Sequence, residues 1–241
     1  MTIPGSRALP RTLRGLALLV AGIVAIVGCA RPGDGSATSD AASPNHAATG
    51  SQLNVNRIPN PEKTGWHGAV LPTPVDKPAF TLTDTAGQPY DFQAETAGKV
   101  TLLFFGYTNC PDICPLHMAN IAAALDQTGL TAGKDVEVVF VSADPERDTP
   151  ERLREFLDNF NDEFVGLTDD KDRVVAVMRQ LGLPPPSVAE IEGRDGYLIA
   201  HPAQVIAFTP DDQAHLVYPF GVGTAAFVAD LPRLVAEGFT Q

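Results

Sequence analysis

Gly106-Tyr107-Thr108-Asn109-Cys110-Pro111-Asp112-Ile113-Cys114-Pro115 decides how the rest of this 241-residue chain is read. The apolar run Val100-Thr101-Leu102-Leu103-Phe104-Phe105 stands directly before it. Leu116-His117-Met118-Ala119-Asn120-Ile121-Ala122 continues it with helical spacing. A buried strand, two cysteines at a helix start and then the helix form the outline of a redox or soft-metal site. Backbone N–H groups at a helix N-terminus stabilise negative charge. Cysteines placed there ionise more easily, and thiolate is both the nucleophile and the metal ligand. Three residues separate the pair, not the two of a thioredoxin motif.

Outward from this stretch the pattern alternates. Val136-Glu137-Val138-Val139-Phe140-Val141 is a second apolar strand. Thr149-Pro150 opens a helix, with Thr as its cap and Pro in its first turn, and Leu153, Phe156, Leu157 and Phe160 make its apolar face. A short strand at 164–167, an amphipathic helix over 171–181, a loop with Pro184-Pro185-Pro186 and a strand at 204–208 follow. Thr209-Pro210-Asp211-Asp212 turns the chain so that 215–218 pairs back, and 224–237 reads as the last helix. Before the motif, 80–82 and 89–92 flank the turn Asp84-Thr85-Ala86-Gly87 and predict a hairpin. The order predicts a mixed α/β sheet. The cysteine-bearing helix behind the first buried strand and the late hairpin make it a thioredoxin-like fold, here with an N-terminal hairpin extension. Residues 66–241 suffice for one core.

The first 65 residues read differently. Arg7, Arg11 and Arg14 precede an apolar run over 16–27 that is shorter than the roughly 20 residues a membrane span needs. Residues 1–28 are therefore expected to be a cleaved signal peptide. Ile26-Val27-Gly28-Cys29 resembles a bacterial lipobox, which would make Cys29 the acylated, palmitate-bearing first residue of the mature chain. Residues 29–65 are small and polar, without a period, and are expected to be a flexible tether spanning roughly 30–35 Å. Lipid on Cys29 accounts for the odd one of three cysteines, leaving the motif pair. Export would place that pair where disulfides persist. A net charge of −12 excludes a nucleic-acid partner, which requires a basic footprint.

Four features resemble the SCO/SenC family of copper-handling, thioredoxin-fold proteins. They are the 106–115 motif, Gly98-Lys99 leading into the apolar strand, the run Val141-Ser142-Ala143-Asp144-Pro145-Glu146-Arg147-Asp148-Thr149-Pro150-Glu151, and a distant histidine, His201, ahead of a late strand. The resemblance covers roughly 75–237. It implies that Cys110, Cys114 and His201 bind copper, as Cu(I) or Cu(II). Thiolates are soft and favour Cu(I), and imidazole suits either state. Two positions depart from the family pattern, which commonly has an acid before its histidine and a small polar residue after it. Here they are Ala200 and Pro202.

Other residues are read more plainly. A bare structural disulfide between Cys110 and Cys114 would close too short a loop to stabilise much. His117, three residues after Cys114, is a possible fourth ligand but is expected to be solvent-exposed. His67 and His215 have no supporting context, and His46 lies in the tether. Asp144, Glu146, Arg147 and Asp148 are expected to serve the helix start that follows them, where acids favour the dipole, rather than acid–base catalysis.

The function that the resemblance implies is that of a copper metallochaperone assisting assembly of the CuA centre of cytochrome c oxidase. Its partner would be the CuA-bearing subunit, reached from a lipid anchor on the extracytoplasmic face of the cell membrane. The alternatives are a thiol–disulfide oxidoreductase, with Cys110 attacking and Cys114 resolving, or a copper or redox sensor.

Overall fold

The structure, a computed structural model, describes residue 53 and residues 59–190 and 196–240. The expected signal peptide, Cys29, His46 and most of the expected tether lie outside the described residues.

Two seven-residue strands, β4 (Val100–Gly106) and β5 (Val136–Ser142), are buried at every position and pair in parallel. Such strands read as continuous apolar runs because both faces of the sheet are covered. β6 (Val165–Thr168) extends the parallel part beside β5. β9 (Val205–Phe208) and β10 (Gln213–Tyr218) form the late hairpin, with β9 antiparallel to β4. The N-terminal hairpin extension is present as β2 (Thr81–Asp84) and β3 (Pro89–Asp91), added antiparallel to β6. β1 (Ala69–Asp76) completes the eight-stranded order β1-β10-β9-β4-β5-β6-β2-β3.

Helices cover both faces. On one, α3 (Ile113–Thr128), α4 (Pro150–Asp158) and α6 (Thr224–Glu237) pack on Leu102, Phe104, Val138, Phe140, Val205 and Ala207. On the other, α5 (Lys171–Gln180) and the hairpin residues Phe80 and Leu82 cover Leu103, Phe105, Val139, Val141, Ile206 and Phe208. Thr149 caps α4 as its sequence predicts, its hydroxyl accepting from the Arg152 N–H at 3.3 Å. Gly129 ends α3 in the left-handed region at φ 70°.

Three pieces were not legible. β1 carries Pro72 and Pro74, which read as loop, yet an edge strand tolerates proline because its outer N–H groups need no partner. A separate two-stranded hairpin, β7 (Ser187–Glu190) and β8 (Tyr197–Ala200), grows out of the proline loop. Short helical turns α1 (Pro61–Thr64) and α2 (Phe92–Glu95) flank β1 and β3. Leu53, inside the segment expected to be tether, is fully buried with Leu71 and Val217, and its carbonyl accepts the Gln204 side-chain N–H at 2.9 Å.

Candidate metal centre

The cysteine arm follows from the strand that precedes it. β4 ends at Gly106, where a Cβ would meet the Phe104 and Phe140 rings at 2.7 Å, so the chain can turn here only without a side chain. Tyr107 is 2 % exposed, and its carbonyl takes the Cys110 N–H at 3.2 Å. Cys110 lies just ahead of α3 and Cys114 in its first turn. Cys110 Sγ accepts the Cys114 N–H at 3.4 Å, the helix-start contact that the motif predicts. Both cysteines are free thiols.

The histidine arm arrives from the other side. β8 delivers His201, which the loop 201–204 passes on to β9. His201 Nδ1 lies 3.0 Å from the Pro202 carbonyl. A carbonyl only accepts, so Nδ1 carries the proton and the Nε2 lone pair is left for the site. Nε2 stands 3.6 Å from Cys114 Sγ. Phe104 and Tyr107 hold the ring edge-on, at centroid distances of 5.8 and 5.5 Å.

The two thiols are made unlike by their surroundings. The Cys114 thiol, hydrogen-bonded to Cys110, holds the Cys110 pKa down to about 4, against the opposing effect of burial and with help from His201. Cys114 is pushed strongly upward, first by burial and then by its bond to the Cys110 thiolate. At neutral pH the pair is therefore one thiolate and one thiol. The ligand atoms of Cys110, Cys114 and His201 lie within 4.8 Å of one another, the one such cluster of three or more among the described residues. Two sulfurs and an imidazole suit copper, and three donors leave a coordination position open where a closed zinc cage would have four.

The run 144–148 corrects its sequence reading. Asp144 and Asp148 are buried, not arrayed at the α4 start, where Thr149 and Glu151 already serve. Asp148 accepts the Thr108 N–H at 3.1 Å, the Thr108 hydroxyl at 2.6 Å and the Ser142 hydroxyl at 2.7 Å. It braces the loop that leads to Cys110. Burial raises its pKa in spite of those donors. Arg147 pairs with Asp144, donates to the Tyr197 carbonyl at 3.0 Å and stacks over the Tyr197 ring at 3.7 Å. The Tyr197 hydroxyl closes the bracket onto Asp144 at 3.2 Å. This ties the hairpin carrying His201 to the end of β5.

His117 also corrects its reading: it is 1 % exposed, with its ring 5.2 Å from Phe104. Burial lowers its pKa. The available signal was the stripe Cys114, His117, Met118, Ile121, Ala124 and Leu125, all buried and at helical spacing, which places His117 inward. His67 and His215 are partnered elsewhere, by Asp230 at 3.1 Å and Asp211 at 2.8 Å.

Residues 71–236 match the protein-family model described as SCO1/SenC. The curated mitochondrial SCO1 homolog 1 of Arabidopsis thaliana is 38% identical over 114 residues, 47% of this chain and 34% of its own length. The chain thus spans about a third of that relative. The crystal structure of Arabidopsis thaliana ScoI with copper bound is 30% identical, with a TM-score of 0.58 over 66% of this chain and 99% of that one. The solution structure of apo Sco1 from Thermus thermophilus is 31% identical, with a TM-score of 0.61 over 70% of this chain and 96% of that one.

Proposed function

This chain belongs to the SCO1/SenC family, and from that premise we propose that it is a copper chaperone that helps assemble the CuA centre of cytochrome c oxidase. The observation that carries the reading is the convergence of Cys110, Cys114 and His201 within 4.8 Å, from two elements, as a set of three donors. Copper is the cargo. The two sulfurs and His201 Nε2 would hold it, and the open position would let an acceptor's ligand enter before these let go. The relative of known structure with copper bound supports the choice of metal. The CuA-bearing subunit as acceptor, the lipid on Cys29 and a place on the outer face of the cell membrane complete the proposal. The acceptor is supported by the family to which the chain belongs, and the lipid and the location by the basic, apolar and lipobox-like sequence over residues 1–29.

A second reading has its own observation, the unequal thiols. The Cys110 thiolate would attack one sulfur of a target disulfide, breaking that S–S bond and releasing one target thiolate. Cys114, giving up its proton, would then attack Cys110 and release the second. The target gains two electrons and the Cys110–Cys114 pair becomes a disulfide. A chaperone that first reduces its target's ligand cysteines would use both reactions at one site.

Copper stoichiometry and affinity of the full-length, reduced chain test the first reading, beside Cys110→Ser and His201→Ala. One tightly held copper per chain, weakened strongly in both variants, is expected. No tight copper, with a readily reducible Cys110–Cys114 disulfide, overturns it in favour of the second.

A further inference from the structure

Cys114 and His201 are 87 positions apart, and a metal centre made from both needs their two elements held in register. Residues 201–203 make no backbone–backbone hydrogen bond among the described residues. His201 Nδ1 bonds within its own loop, and Gln204 reaches to Leu53 among the residues on the opposite face of the sheet. Between α3 and 201–203, the described residues hold one hydrogen bond besides the sulfur–imidazole contact of the site itself. It joins His117 Nε2 to the Ala203 carbonyl at 2.9 Å.

The carbonyl can only accept, so His117 Nε2 carries the proton and Nδ1 is a bare acceptor. That Nδ1 is buried with no partner. A buried acceptor without a donor costs stability that an apolar side chain on the same helical stripe would not. The position therefore gives up some stability, and what it has in return is the bond to Ala203. Phe104 packs against both imidazoles, 5.2 Å from His117 and 5.8 Å from His201.

We propose that His117 is a positioning residue of the metal centre: by donating Nε2–H to the Ala203 carbonyl, it fastens the histidine arm to the helix that bears Cys114 and so fixes where His201 Nε2 stands. This rests on the copper site proposed above for its function, but not for its geometry. His117 itself does not touch the metal.

The test compares His117→Leu and His117→Gln in the full-length, reduced chain. The glutamine amide can donate to the same carbonyl and leucine cannot. His117→Met, a second non-donor, takes the place of leucine if that variant does not fold. The first measurement needs no metal. The NMR signals of the His201 ring, shifted by the neighbouring Phe104 and Tyr107 rings, move toward free-histidine values in the leucine variant and stay in the glutamine variant. The second is copper affinity by chelator competition, which falls about 10- to 100-fold in the leucine variant, the usual cost of losing an outer support, and recovers in the glutamine variant. Unchanged His201 signals and unchanged affinity in the leucine and methionine variants overturn the inference. A chain that binds no copper but whose His201 signals still move in those variants supports the fastening and overturns the copper reading alone.

Discussion

Cys110 and Cys114 lie four residues apart and are held mainly by the loop and helix they belong to, with Asp148 as the main outside brace. His201 is held by the Phe104 and Tyr107 rings of the β4 end, by the Asp144–Arg147–Tyr197 bracket and by the His117 bond. The cysteine arm is a local structure that the fold needs in order to turn from β4 into α3. The histidine arm is a distant strand end brought in by side chains. The first arm is held by contacts that do not involve the second. The second is set between the β7–β8 and β4–β9 pairings, and its final placement depends on contacts that single substitutions can remove.

The sharpest way to break this contrast is Asp148→Ala. Thr108 N–H and the Thr108 and Ser142 hydroxyls all lose their acceptor, and a stability loss of about 3 kcal/mol is expected in urea unfolding. Cys110 alkylation should change with it while the His201 ring signals stay. A loss below about 1 kcal/mol would mean that the cysteine loop does not depend on this brace.

Arg147→Ala acts on the other arm with a smaller effect, about 1–2 kcal/mol, from the lost ion pair, carbonyl bond and stacking on Tyr197. Copper affinity should weaken with Cys110 alkylation unchanged. If both move together, the arms are one unit and the contrast is wrong.

The smallest effect lies in the thiol titration. The Cys110 pKa is depressed to about 4 in the folded chain, so its thiolate persists as the pH falls and is lost only on passing through that value. Iodoacetamide labelling of Cys110 should therefore be flat from pH 8 to near pH 5 and decline below. Cys114→Ala should raise the midpoint more than His201→Ala, because the Cys114 bond is the larger cause and the His201 bond a lesser one.

The same contrast explains what could be read in advance. The motif, the β4–α3 turn and the Thr149 cap are patterns within a few residues, and they stand as the sequence predicts. Cys110, Cys114 and His201 come together as the family resemblance implies. The β7–β8 hairpin was hidden because Pro184-Pro185-Pro186 reads as loop, and its attachment through Arg147 joins residues 50 apart. The place of Asp148 before a helix start suggests a dipole role, whereas its partners are Thr108 and Ser142, far from it in sequence or on another element. The polarity of His117 points to solvent, but the stripe on which it lies is buried.

The outer strands carry a consequence for how copies of this chain meet. β1 presents Pro72 and Pro74 at one end of the sheet, and β3 begins with Pro89 at the other. Each proline deletes a backbone donor, so neither border offers a neighbour an unbroken ladder to pair with. Two copies meeting border to border are thereby kept from adding strand to strand into a continuous sheet.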